Sequence, residues 1–348
     1  MDFVIVGSDR SLVGDHRYAF GPMGMNEMLQ QKLSMLAKSG GGVIPPGVYR
    51  PVNPLVLNGL SDVTLVSHGV RVVAGDQQTV KDTTGETLQL SNCQRVRLVG
   101  FSFDGNAKVR GTGQQVAGQP FPSGTVVLRG CSDIAFDVCS FTGSVMDDVC
   151  ILSSTEAAGA TPQTACHRIT VRGCDFIGPA YRQQISAVSV IGLRVFDNTF
   201  SGQRGQWGQS IDIEANPQDQ LGTLSNILID RNTFTDCHLP IIVNSANKPS
   251  RVIISRNDMD HVDIGVSNWA DGTIIRGHVL TNVANIGIGS GVCLPTGNCG
   301  AGIIIDNVSD GPMPIFLDGV AGHRVGRNIG AITATPAAKG WTDLGGNQ

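Results

Sequence analysis

The stretch Leu228-Ile-Asp-Arg-Asn-Thr-Phe234 is a β-rich run closed by Asn, a small polar residue and Phe. Five variants of it recur along the chain: Arg97-Leu-Val-Gly-Phe-Ser-Phe103, Ala135-Phe-Asp-Val-Cys-Ser-Phe141, Thr170-Val-Arg-Gly-Cys-Asp-Phe176, Arg194-Val-Phe-Asp-Asn-Thr-Phe200 and Ile253-Ile-Ser-Arg-Asn-Asp-Met259. Their closing residues lie 38, 35, 24, 34 and 25 apart, so the shortest repeat is 24 residues and the excess elsewhere is inserted loop. A period in the twenties, built of short strands with turn residues between them, is the mark of a solenoid. Residues distant in sequence then stand above one another in space.

The repeat has internal columns. Asn198, Asn232 and Asn257 share one position in three successive coils, where stacked amides at a sharp inward turn can hydrogen-bond along the axis. Earlier coils put Cys174, Cys139 and Phe101 there, so the column is expected to turn apolar, and Cys93, Cys131 and Cys166 form a second column. The nine cysteines include no CxxC pair, which argues against zinc and for small buried thiols stacked in the coil. Cys293 and Cys299 are spaced to close a loop disulfide.

Bulk composition agrees. Forty-five glycines of 348 residues and only 5% aromatics suit strands joined by tight turns. A net charge of −4 with no Lys/Arg block excludes a phosphate-binding stripe, so no nucleic-acid partner is expected. No apolar run reaches the roughly 20 residues of a membrane span, and no membrane partner is expected. Residues 1–9 lack the basic and apolar regions of a signal peptide, which leaves export and compartment open.

Residues 1–50 read as an N-terminal segment with a capping helix, and 51–348 as the solenoid with a C-terminal cap. Met25, Leu29, Leu33 and Leu36 make one apolar stripe in a helix over 23–39, with Asn26 as N-cap and Ser39-Gly-Gly-Gly42 as its end. Such a helix covers the open end of a solenoid. An amphipathic helix, a Gly-Gly-Gly run, the turn Pro45-Pro-Gly-Val-Tyr49 and irregular β coils together resemble the right-handed parallel β-helix superfamily. That group includes pectate lyases, polygalacturonases and phage tailspike depolymerases, and the resemblance covers roughly residues 24–320. It implies an all-β, single-stranded right-handed parallel β-helix, a polysaccharide partner, a secreted or extracellular setting, and a monomer or homotrimer.

A second strand column follows each repeat phrase: Asp148-Val-Cys-Ile-Leu-Ser-Ser154, Ile185-Ser-Ala-Val-Ser-Val190, Ser210-Ile-Asp-Ile-Glu-Ala-Asn216, Ile241-Ile-Val-Asn-Ser-Ala246, Ile264-Gly-Val-Ser-Asn-Trp269 and Ile286-Gly-Ile-Gly-Ser290. Val149 with Ile151, Ile211 with Ile213, Ile241 with Val243 and Ile264 with Val266 point inward by the two-residue period. Asp212 and Glu214 then leave one side of one strand, with Cα atoms about 6.6 Å apart. Neighbouring coils, about 4.8 Å away, add Asp147 and Asp148, Arg182 and Gln184, Asn244, and Asp263, Ser267 and Trp269. Asn268 has inward parity and joins only where the strand bends.

Two carboxylates at i and i+2 on an ordinary sheet face repel each other, so their presence marks a site. Asp212, Glu214 and Asp148 are the candidate catalytic residues. Asp147, Arg182, Gln184, Trp207, Asn244, Asp263, Asn268 and Trp269 are the candidate substrate-binding residues, the indoles as platforms for a sugar face. Tyr181 and His238 are lesser candidates, and His278 sits at a repeat position as a structural residue. The insertions Asn106–Ser123, Thr155–His167 and Asn216–Leu224 are expected to wall a groove.

Glycoside hydrolysis needs one carboxyl to protonate the leaving oxygen and one to activate water or attack carbon. The strand spacing leans towards an inverting separation of roughly 6.5–9.5 Å. The Asp147-Asp148 pair resembles the double Asp of polygalacturonases, but the chain lacks that family's Asn-Thr-Asp, Gly-His-Gly and Arg-Ile-Lys. Two other readings stay open. One is a polysaccharide lyase, with Arg182 or Arg204 as base and Ca²⁺ held by the acids; the other is a non-catalytic glycan-binding β-helix of a phage or surface fibre. The hydrolase reading needs neither a metal nor a cofactor.

Overall fold

The computed structural model describes residues 29–348 apart from 32, 37, 52, 76–85, 111–123, 155–163, 205–207, 215–221, 245–248, 292–300, 320–321 and 339. The described chain winds through three parallel sheets of 12, 10 and 11 strands, each pairing only with the same sheet in the coils above and below. One coil runs through Cys166–Arg172, Asp175–Ile177 and Gln183–Ala187, and the next through Val190–Phe196, Thr199–Ser201 and Gln209–Ile213. The three strands of each coil are one each from the first, second and third sheets.

The repeat phrase is the corner between the first and second sheets. In successive coils the residue before the column position has positive φ: Val138, Gly173, Asp197, Arg231, Arg256, Gly277, Asp306 and Arg327. That left-handed step turns the chain sharply and throws the next side chain inward. The Asn column lies there and is longer than the sequence pattern shows. Cys174 N donates to Asn198 Oδ1 at 2.9 Å, Asn198 N to Asn232 Oδ1 at 3.1 Å, and Asn232 N to Asn257 Oδ1 at 2.9 Å. Asn257 N then donates to His278 Nδ1 at 3.1 Å, and the ladder continues through Asn307, Asn328 and Asn347.

The closing aromatics stack inside the second sheet. Ring centroids are 4.8 Å apart for Phe141–Phe176, 4.6 Å for Phe176–Phe200 and 4.7 Å for Phe200–Phe234. That is the coil spacing itself, so one residue type repeated at one register position stacks ring on ring through these coils. Each of the seven described cysteines is a buried free thiol. Cys293 and Cys299 lie outside the described residues, so the loop disulfide does too.

At the N-terminal end residues 29–31, 33–36 and 38 are helical, and Leu29, Leu33 and Leu36 are buried against Ile44, Leu55, Leu57 and Leu65. Met25 and Asn26 lie outside the described residues. Gly41 has φ +124, and a Cβ there would sit 2.0 Å from Thr64 O, so the glycine run is what lets the chain pass from helix to first strand. At the other end Thr342–Asp343 closes the first sheet, and half-buried Trp341 packs against the core.

Candidate functional site

The third sheet sets the register of the candidate residues. Ile185, Ile211, Ile241, Val266 and Ile288 form one inward column, and Ala187, Ile213 and Val243 another. Between them an outward row runs Cys150, Ser186, Asp212, Ile242, Ser267. The next outward row lies just past the strands. Glu214 N donates to Ala187 O at 3.1 Å, Asn244 N to Ile213 O at 2.9 Å and Trp269 N to Val243 O at 2.8 Å. Glu214, Asn244 and Trp269 therefore stand in three successive coils, with Asp212 diagonal to Asn244.

Strict alternation fails at the start of these strands. The ladder pairs Asp147 with Gly124 and Val149 with Val126, Gln183 with Gln209 and Ile185 with Ile211, and skips the residue between in each case. At the skipped position the chain turns a second consecutive side chain inward. Gln184 is fully buried and its Nε2 donates to Gly178 O at 3.1 Å and Ser201 O at 3.4 Å, across the interior. A Cβ on Gly265, two coils beyond Ser210, would strike Leu280 Cδ2 of the core at 2.2 Å. Asp148 is thus an interior residue, and the expectation that it and Gln184 join the outward face is corrected. Asp147 and Gln183 take those places.

Asp147 is fully buried beside that row. Arg182 holds it at two points, Nε to Oδ1 at 3.0 Å and Nη2 to Oδ2 at 2.8 Å, and Gln183 N donates to Oδ1 at 3.3 Å. Burial raises the Asp147 carboxyl and the guanidinium opposes that rise. Arg182 in turn is held firmly protonated, against its own burial, by the Asp147 charge and hydrogen bonds. Gln183 links this pair to the next acid, its Nε2 donating to Asp212 Oδ2 at 3.1 Å and to Gln209 Oε1 at 3.2 Å.

Asp212 is 3% exposed. Burial first, then the Glu214 charge and a side-chain hydrogen bond to Glu214, lift its carboxyl well above the ordinary value; Arg182 opposes them. Its Oδ1 receives no N–H or hydroxyl, which leaves that oxygen to carry the proton shared with Glu214. Glu214 is half-buried, and its Oε1 accepts from Asn244 Nδ2 at 2.9 Å. The two carboxyls therefore touch, closer than either glycosidase spacing. Long side chains on one strand converge where their Cα atoms do not.

The other candidates fall into separate groups. Asp263 belongs to an exposed network at the corner between the second and third sheets. It accepts from Arg204 Nη1 at 2.9 Å and lies 2.6 Å from His238 Nδ1, while Arg204 also holds Asp236 and His261 O. Asn268 is fully buried, as its parity requires, and donates to Ala270 O at 2.9 Å and Ser290 Oγ at 3.1 Å. Trp269 is half-buried with its Nε1 enclosed and without an acceptor. Trp207 lies outside the described residues, as do 111–123, 155–163 and 215–221, which make up most of the three insertions. Gln183 and Gln209 are the neighbours that alternation hid, while Ser186 stands outward beside Asp212 as alternation predicts. Among the described residues no group of three or more His, Cys, Asp or Glu is placed to hold a metal ion, and no helix is long and apolar enough to cross a membrane.

No family model matches the sequence, and no curated protein sequence does. Solved structures do match. A hyperthermoactive exopolygalacturonase of Thermotoga maritima aligns over 91% of this chain and 87% of its own, with TM-score 0.66 and 13% identity. The Streptococcus pneumoniae surface adhesin PfbA aligns over 93% and 89%, with TM-score 0.55 and 11% identity. The tailspike protein of E. coli bacteriophage HK620, in complex with a hexasaccharide, aligns over 96% of this chain and 63% of its own, with TM-score 0.59 and 13% identity. The class is thereby defined: a solenoid of three parallel sheets. The chain has the fold of a right-handed parallel β-helix.

Proposed function

We propose that this protein is a polysaccharide-cleaving glycoside hydrolase whose acid–base chemistry lies at Asp212 and Glu214. One observation carries the reading: a buried carboxyl lifted well above its ordinary value, hydrogen-bonded to a half-exposed second carboxyl, on the outward face of the third sheet. Burial and the like charge favour a proton held on Asp212, which relieves the repulsion within the pair. Glu214 faces outward, so it is the group that a glycosidic oxygen or an attacking water meets. The hydrogen bond lets the proton stored on Asp212 reach Glu214. Asn244 fixes the Glu214 carboxylate, and Gln183 fixes Asp212. Asp148, facing the interior, has no chemical role in this proposal.

Two features favour hydrolysis over elimination. A lyase needs a cation for the substrate carboxylate and an unprotonated base. Arg182 is locked on Asp147 and Arg204 on Asp236 and Asp263, and each is held more firmly protonated than an ordinary arginine. Structures of an exopolygalacturonase and of a tailspike with a bound hexasaccharide on the same fold support a glycan as the partner.

The test is release of reducing ends from a broad panel of polysaccharides. Asp212→Asn and Glu214→Gln are each expected to lower the rate about 100-fold or more, the usual scale of a lost acid–base group. Wild-type protein that releases no reducing ends sinks the proposal, as does activity unchanged in both variants. Ultraviolet absorbance from unsaturated uronate products would select the lyase instead.

A further inference from the structure

The hydrogen-bonding inventory around Asp212–Glu214 specifies the charge of its ligand. The charged donors described there are already used. Arg182 and Gln183 N close on Asp147, Gln183 Nε2 is shared by Gln209 and Asp212, and Asn244 Nδ2 serves Glu214. Arg129 pairs with Glu86, one row along, and Arg204 with two aspartates. What the half-buried Glu214 carboxylate offers a ligand is acceptor capacity, and Gln183 Oε1, enclosed, also has no donor. Among the described residues at this face the donors without an acceptor are uncharged: the enclosed Trp269 indole N–H, two coils beyond Glu214 in the same row, the Gln209 amide and the Ser267 hydroxyl.

The formal charges agree. Asp147 and Arg182 cancel, and among the described residues no cation is ion-paired with Asp212 or Glu214. No described cation at this face is left for an incoming anion. A uronate carboxylate, which can only accept hydrogen bonds when ionised, would meet the Glu214 carboxylate. A hydroxyl or acetamido N–H donates to it.

We infer, on the reading that this site cleaves glycans, that the sugar seated at Asp212–Glu214 is an uncharged, hydrogen-bond-donating residue, a hexose or N-acetylhexosamine, and not a uronate. The site therefore differs in substrate class from any enzyme that takes polygalacturonate. The half-buried Trp269 indole suits the apolar face of the neighbouring unit.

The experiment compares matched polymers that differ only in charge: polygalacturonate and alginate against their carboxyl-reduced forms, beside neutral glucans, mannans, xylan and chitin oligosaccharides. Binding is read by affinity electrophoresis with wild type and with Asp212→Asn, and cleavage by reducing ends with wild type. Neutral or carboxyl-reduced polymers are expected to bind at least about tenfold more tightly than any uronate form, the scale set by burying an unpaired charge. Preference for a native uronate polymer, in binding or cleavage, overturns the inference while leaving a hydrolase intact. Binding of neutral polymers without any cleavage removes the hydrolase and upholds the charge selectivity. Binding to no polymer overturns both.

Discussion

Two columns of buried polar side chains climb the same solenoid, and they are finished differently. At the corner of the first and second sheets, the column from Asn198 to Asn347 satisfies itself: each backbone N–H meets the next side chain, and Asn232 Nδ2 also reaches Val195 O at 3.0 Å and Asn257 Oδ1 at 2.9 Å. At the start of the third sheet, Thr87, Asp148, Gln184 and Ser210 are equally buried, yet Thr87 Oγ1, both Asp148 oxygens, Gln184 Oε1 and Ser210 Oγ have no partner. A polar column that closes on itself is architecture. One left open is a cost the fold carries, and it lies directly beneath the outward acids.

Breaking the closed column should have the largest effect on stability. Asn232→Ala strands the Asn198 N–H and the Val195 carbonyl in the core and removes the contacts with Asn257. We expect a loss of about 3 kcal/mol, since each stranded buried group costs about 1–3 kcal/mol. Urea unfolding of variant and wild type measures it, and a loss under about 1 kcal/mol would show that water replaces the ladder.

His278 sharpens the same comparison, because it is the one titrating rung. Burial holds its imidazole neutral, with a pKa lowered to about 4. An unfolded histidine titrates near 6.5, so below that pH the unfolded chain takes up a proton that the folded chain refuses. The stability this rung gives is complete above pH 6.5 and declines as pH falls towards 4. Between pH 6.5 and 5 the wild type should lose about 2 kcal/mol that His278→Asn does not. Equal pH slopes in urea titrations of the two proteins would place the lost proton elsewhere.

The closed column was the legible one. Asn198, Asn232 and Asn257 announce themselves because a sharp turn demands one geometry and one residue type meets it, coil after coil. The later rungs, Asn307, Asn328 and Asn347, follow strands too short and irregular to reveal the phrase, so only the stacked coils show them. Asp212 and Glu214 were legible as a departure from an apolar alternation. Asp148 was misplaced because alternation assumes an unbroken ladder. The skipped pairs at Asp148 and Gln184 leave no trace in residue type, since Asp and Gln are ordinary outward residues and only their burial betrays the inward turn. The contact between Asp212 and Glu214 was likewise hidden, because backbone spacing fixes Cα atoms and leaves carboxyls free to converge.

The smallest expected effect tests the open column itself. Burial, with the Asp147 and Asp104 charges adding to it, lifts the Asp148 carboxyl well above its ordinary value. A neutral Asp148 also gains a donor, and Gln184 Oε1 in the next coil lacks one. A raised carboxyl stabilises the fold only while protonated: its contribution is complete below the unfolded value of about 3.9 and is lost as pH rises towards the folded value. Asp148→Asn supplies a permanent donor and no charge. The variant should match wild type at pH 4 and exceed it by about 1 kcal/mol at pH 8, the scale of one satisfied buried hydrogen bond. Equal destabilisation at both pH values would mean that Asp148 is already paired in solution, and the contrast between the two columns would then vanish.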